Sequence, residues 1–457
     1  LISVDRTIST DVLRYLKKEK LSLSSFAMKS GINSGTLSRF INGNQPLSVS
    51  SLDRITEAMN MEEGIFYSLY VHESTPNWRR LGPFIMRCAE LGKLSCIDQA
   101  VDRIIDNPAY SSLLFDSAET LYHNGKREAA LILYKKVAES EKHQHAERLA
   151  LCQYRIFLCS LNSDQEHNLN CTIQFEAYIK RLPEGVQLDA LKDLADTWLS
   201  LRKWYKAKYY TQEMGRISRM LYARKHDTSR PHRKRTEPAK QLFGYILYSD
   251  LLLGTIAEYN DDYDQAIYHL SCYEDQSWII ESDETAERIK AKFRVWARGN
   301  RYLYELMKGN IDVLEPYIEF ISSRENEVLK GLFRIIKAAN LYHFEIDKYL
   351  DRFEHLIRAH LKRQEPIGGY TEHLMNDRFA SFLADVGMYY IRKNNKRKGL
   401  QYMLDSLEFS YTNNNAINIV RCCTSMEHIQ SDLNPDDLER YAAIRNKIKD
   451  SGTLVLL

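Results

Sequence analysis

Glycine and proline are scarce here, 19 and 10 among 457 residues. That scarcity argues against sandwiches and nucleotide-binding α/β folds, which need glycine turns, and for helix after helix. Net charge is nearly missing too. Lys plus Arg number 63 and Asp plus Glu 61, which leaves +2. A polybasic nucleic-acid scaffold is therefore excluded, and any DNA contact has to come from a local patch. No apolar run approaches the roughly 20 residues of a bilayer span. The most apolar stretch, 245–257, is broken by Ser249 and Asp250. No apolar signal segment opens the sequence, so no membrane partner is expected.

Catalytic signatures are missing as well. There is no Walker A loop, Gly-x-Gly-x-x-Gly, His-Glu-x-x-His or Gly-x-Ser-x-Gly. The expectation is a protein that is not an enzyme, with no cofactor and no metal. His143 and His145 point about 200° apart on a helix, which is poor metal geometry. Glu281, Asp283, Glu284 and Glu287 read as a solvated helix start. None of the eight cysteines belongs to a C-x-x-C pair. They read as small buried hydrophobes in a reducing cytoplasm.

What is present is a large, half-apolar chain. The AVILMFWYC set makes up 44% and aromatics 11%, which rules out wholesale disorder and allows more than one domain. The first 70 residues are short apolar clusters separated by Ser, Asn and Gly. They predict five helices: from Thr10 or Asp11 to about Lys20, Ser24–Lys29, Ser34–Ile41, Leu52–Met59 after Ser50 or Ser51, and Glu62–Tyr70. From about Asn77 to Lys449, longer helical patterns follow one another as hairpins. Examples are 110–122 with 126–140, 188–201 with 204–221, 241–259 with 263–272, and 377–392 with 396–410. Their junctions are short and polar: His123-Asn124-Gly125, Asn260-Asp261-Asp262 and Lys393-Asn394-Asn395. A unit of about 34 to 42 residues predicts stacked helical hairpins, because one hairpin cannot bury its own apolar face. The fold class expected is all-α: an N-terminal helix-turn-helix domain over 1–70, then a right-handed, tetratricopeptide-like superhelical solenoid over 77–449. The stretch 224–240, with seven Lys or Arg and two acids, reads as a solvated loop, with a secondary phosphate-contacting patch as the alternative and a short nuclear signal, which nothing else in the sequence suggests, as a third.

The run from Leu21 to Gly43 has the residue types a helix-turn-helix needs. Ala27 is small where two helices cross, Gly31 serves the turn, and Ile32, Leu37, Phe40 and Ile41 are apolar anchors. Asn33, Ser34, Thr36, Ser38 and Arg39 leave the second helix a short polar face for base edges. Asn33 or Ser34 can cap that helix. Arg39 is the candidate guanine reader or phosphate clamp, and Asn44 can add a contact from the following loop. Lys17, Lys18, Lys20 and Lys29 are candidate phosphate contacts. From Asp11 to Leu52 there are six Lys or Arg and two acids, an excess of the right sign.

Ala27, Gly31, Leu37, Ser38 and the Asn42-Gly43 turn, followed by Pro46 and Leu52, resemble the Xre/Cro-type helix-turn-helix family over about residues 10–70. Leu23 departs from it: the family often has a phosphate-contacting Gln there. Joined to hairpin repeats, the whole resembles the RRNPP peptide-sensing regulators of Gram-positive bacteria, which include virulence, sporulation and competence regulators and the phage arbitrium receptors. The resemblance implies a homodimer that binds a double-stranded DNA operator and holds a short signalling peptide in the concave face of its repeats. Extended peptides need paired donors and acceptors, which Asn supplies. Tyr245, Arg298, Asn300, Asn340 and Tyr389 are the candidate peptide-binding residues. The alternative is a protein-interaction regulator that controls a partner protein, with the helix-turn-helix as a tether.

Overall fold

In the computed structural model the described residues are 6–141, 146–162, 164–227, 238–362, 370–413, 415–427 and 434–450. They form twenty-three α-helices and two short 3-10 turns, with no strand among them. Contacts divide the chain into two compact units, Leu1–Leu161 with Asn170–Pro183, and Asn162–Leu169 with Glu184–Leu457. His143 and His145 lie outside the described residues, as does 228–237 of the basic stretch.

The first unit begins with α1 (Ile8–Lys18), α2 (Leu23–Ser30), α3 (Ser34–Ile41), α4 (Val49–Ala58) and α5 (Tyr67–Glu73). Several helix starts differ from expectation, and the caps give the reason. Thr7 caps α1, its side chain accepting from the Thr10 backbone N–H while the Thr10 hydroxyl accepts from the Thr7 N–H. Asp11 is therefore no cap. It is buried between Arg6 and Arg14, each 2.8 Å away. Ser22 caps α2 and Ser48 caps α4, two or three residues ahead of the starts expected at Ser24 and at Ser50 or Ser51.

The unit continues with α6 (Trp78–Glu90), α7 (Leu94–Asp102), α8 (Pro108–His123), α9 (Arg127–Ser140) and α10 (Ala146–Ser160), and takes α11 (Gln165–Glu176) from Asn170 onward. Asn77, where the composition changes, caps α6. The apolar core runs on through that position from Ile8 to Cys152. Tyr67 and Tyr70 of α5 set their rings 5.1 and 4.9 Å from that of Phe84 in α6. Arg87 of α6 pairs with Asp53 of α4 at 3.0 Å, and Tyr67 donates to the same carboxylate at 2.8 Å.

The second unit comprises α12 (Glu184–Ser200), α13 (Trp204–Lys225), α14 (Leu242–Tyr259), α15 (Tyr263–Glu274), α16 (Glu284–Met307), α17 (Leu314–Ser322), α18 (Glu325–Tyr342), α19 (Asp347–Leu361), α20 (Tyr370–Arg392), α21 (Lys396–Thr412), α22 (Ala416–Glu427) and α23 (Pro435–Asp450). Helices adjacent in sequence pack as hairpins, notably α12 with α13, α14 with α15, and α20 with α21. The hairpins expected from the polar junctions are present. Each junction is closed by a residue in the left-handed region: Gly125, Arg202, Asp261 and Asn394, with φ of 76°, 55°, 55° and 60°. Asp283 caps α16 by accepting the Ala286 N–H at 3.0 Å, as a helix-start reading requires, but Glu281 is not solvated with it: its carboxylate is enclosed against Tyr222 and Lys225. The apolar α14 is buried in this unit's core. No described helix is long and apolar enough to cross a membrane.

Candidate functional site

Two regions gather the sequence candidates. The first is the α2–turn–α3 element. Phe26, Ala27, Ile32, Leu37 and Phe40 are buried beneath it, so one face of each helix is fixed to the core. Gly31 closes α2 with φ 65°, a conformation that costs a side-chain-bearing residue. Arg54 of α4 donates to the Gly31 carbonyl at 3.3 Å and ties α4 to the turn. Sequence reasoning passed over Arg54, since an exposed Arg on α4 carries no local signal of that contact.

Asn33 caps α3, its Oδ1 accepting from Gly35 N–H at 2.9 Å and Thr36 N–H at 3.3 Å. Its carbonyl group is thus engaged in holding the helix. Ser34 and Arg39 are exposed and Thr36 and Ser38 half-buried, and of the four Arg39 is the one opposite Leu37 on the helix. Arg39 folds back, Nε donating to the Gly35 carbonyl at 3.2 Å. Asn44 is exposed, and its backbone N–H bonds to the Arg39 carbonyl at 2.8 Å, which brings the loop onto the end of α3. Lys17 and Lys18 stand exposed at the end of α1. Lys29 donates to the Tyr15 hydroxyl at 3.1 Å. Leu23 packs its side chain against the core.

The second region is a groove of about 760 Å³ within the second unit, walled by α14, α16, α17, α18, α20 and α22. Small residues let these helices approach. A methyl at Gly299 would lie 2.8 Å from the Phe320 ring, and one at Gly331 2.7 Å from Ile321. Trp296, Phe320, Phe333 and Tyr259 supply aromatic wall. Seven cationic side chains and four carboxylates line the rest. Arg334 pairs with Glu258 and Arg421 with Asp385. Lys330 meets Glu327 at 3.2 Å and Arg202 meets Asp377 at 3.4 Å. Burial raises the pKa of Asp385, and Arg421 opposes that rise.

Of the peptide-binding candidates, Asn300 alone lines this groove, its Nδ2 donating to the Tyr273 hydroxyl at 2.9 Å. Two are corrected outright. Tyr245 and Tyr389 are buried, because their rings fill the core while their hydroxyls reach carboxylates. Tyr245 donates to Asp189. Tyr389 donates to Asp347 at 2.8 Å and accepts the Ile346 N–H at 2.8 Å. Burial, followed by the bond to Asp189, pushes the Tyr245 hydroxyl far above its ordinary pKa. Asn340 clamps helices together, donating to the Asp385 carbonyl at 2.9 Å. Arg298 is exposed but outside the groove wall. The wall takes positions 295, 296, 299, 300 and 303 of α16, a single stripe that excludes 298.

The residues that sequence reasoning missed are Trp296, Phe320, Arg324, Arg334, Arg378 and Arg421. Along α18, positions 327, 330, 331, 334 and 337 all face the groove. Such a charged stripe looks like solvated surface until α20 and α22 are seen beside it. No protein-family model matches this sequence, and no curated protein matches it.

Proposed function

We propose that this chain is a DNA-binding transcription regulator of the peptide-sensing kind, acting as a homodimer, with α3 as the recognition helix and the groove of the second unit as the peptide site. The observation that carries the reading is the groove itself. Its volume of about 760 Å³ falls in the roughly 300–1,000 Å³ range of ligand pockets. Aromatic walls with placed guanidinium and amide groups suit the side chains and backbone of a short peptide. The exposed polar face of α3, fixed from below by Leu37 and Phe40, suits insertion into a major groove. A homodimer would set two such helices about one DNA turn apart, roughly 34 Å. The tetratricopeptide-like reading of the hairpins belongs to the same proposal.

Peptide binding can alter DNA affinity only if the peptide distinguishes two states of the protein. The test is calorimetry with the mature peptide of a small reading frame beside the gene, then a DNA mobility shift with and without it. Micromolar binding that changes the shift supports the proposal. No binding at about 100 μM, near −5.5 kcal/mol, together with a co-purifying protein would favour a protein-interaction regulator instead.

A further inference from the structure

The groove's charges are unevenly spent. Each of its four carboxylates already has a cation: Glu258 has Arg334, Glu327 has Lys330, Asp377 has Arg202 and Asp385 has Arg421. Lys337 pairs with Asp261, outside the lining, at 2.7 Å. Two guanidinium groups are left over. Arg324 donates to the Phe320 carbonyl and the Ser323 hydroxyl, each at 2.8 Å, and lies 4.1 Å from the centre of the Phe320 ring. Arg378 donates to the Tyr259 hydroxyl and lies 5.5 Å from the centre of that ring. Neither meets a carboxylate among the described residues.

Both guanidinium groups are thus steadied by neutral oxygen atoms and a ring face. That arrangement positions a cation without neutralising it. Arginine remains charged at any accessible pH and binds carboxylates through paired N–H donors, so an unneutralised guanidinium in a partly enclosed groove favours an anionic guest. The aromatic walls beside these groups, Phe320 and Tyr259 with Trp296, favour a guest that also carries apolar side chains.

We infer that the groove selects an acidic peptide, one carboxylate pairing with Arg324 and another with Arg378, with an apolar side chain against Trp296 and Phe320. This rests on the groove being a peptide site at all. An acidic side chain and the peptide's own C-terminus supply the two carboxylates.

The test uses the full chain and three pools of fluorescein-labelled heptapeptides, doubly acidic, neutral and doubly basic, matched in aromatic content and with free C-termini. Fluorescence anisotropy at low salt is the readout. The acidic pool is expected to bind about tenfold or more tightly than the neutral one, and to weaken as salt rises. Arg324→Gln and Arg378→Gln are each expected to lower that affinity about tenfold with circular dichroism unchanged, and Arg378→Lys to restore part of it. Equal or better binding of the neutral or basic pool, lost in Trp296→Ala, would overturn the acidic preference and leave the groove as a peptide site. Acidic binding unchanged in both Gln variants would also overturn the assignment. Failure of all three pools would remove the peptide reading and this inference together.

Discussion

Gly387 of α20 and Gly399 of α21 meet backbone to backbone. A methyl on Gly399 would sit 2.8 Å from the Gly387 carbonyl oxygen, and one on Gly387 3.0 Å from that of Gly399. Backbone cannot swing aside as a flexible side chain can, so the hairpin would have to part. Gly399→Ala should therefore destabilise the second unit by about 1–3 kcal/mol, the range for overpacking a close-packed site. Denaturant unfolding checks this. A midpoint equal to wild type would mean that the two helices are free to separate.

Asn33 holds the first turn of α3 through two backbone N–H groups. Asn33→Ala should cost about 1 kcal/mol of stability, and Asn33→Asp, which keeps the acceptor, much less. Thermal unfolding of the two variants side by side distinguishes a cap from a residue whose main business is elsewhere.

Arg39 is exposed and, among the described residues, its side chain bonds only within its own helix, so Arg39→Ala should leave folding intact. If α3 reads DNA, the same change should lower specific operator affinity by about 1–3 kcal/mol, the usual scale of a bidentate base contact. An operator-selection and mobility-shift series reports it. Unchanged binding would exclude α3 as the reading helix.

Glu281 sits between the Lys225 ammonium and the Tyr222 hydroxyl, each 2.8 Å away. Burial alone would raise its pKa. These two bonds, its own backbone N–H and the Lys225 charge together outweigh burial and hold it at about 2, against an ordinary 4.5. A depressed folded-state pKa contributes stability above the unfolded value and loses it on acidification. Wild type should thus lose this contribution as pH falls from 4.5 towards 2. Glu281→Gln should be the less stable protein near neutrality and converge on wild type near pH 2. Melting temperatures across that interval check the sign.

Cys88, Cys96, Cys152 and Cys422 are buried and the other four cysteines partly so, all as free thiols. Burial pushes the Cys422 thiol up to about 11 and those of Cys88 and Cys152 higher. A thiol-specific disulfide reagent at neutral pH should leave at least these four unreacted in the folded protein and titrate all eight in denaturant. Rapid native reaction at Cys152 would show that its helix opens readily.

Periodicity and composition alone marked the helices, because 3.6-residue apolar spacing and sparse Gly and Pro are local properties of the chain. The polar junctions were legible for the same reason: Gly125, Asp261 and Asn394 take the positive φ that ends a helix. So was the α2–turn–α3 element, whose small, apolar and polar positions are fixed by the crossing of two adjacent helices. The helix starts were less so, since Thr7, Ser22 and Ser48 were each one of several nearby residues able to cap. The groove belongs to tertiary structure. Its wall draws single stripes from helices that are far apart in the chain, and no periodicity says which stripe of α16 or α18 will face α20. Tyr245 and Tyr389 show the consequence: an aromatic ring with a polar tip fits a core or a groove equally well by type. The carboxylates of Asp189 and Asp347, brought to them by neighbouring helices, settled them in the core.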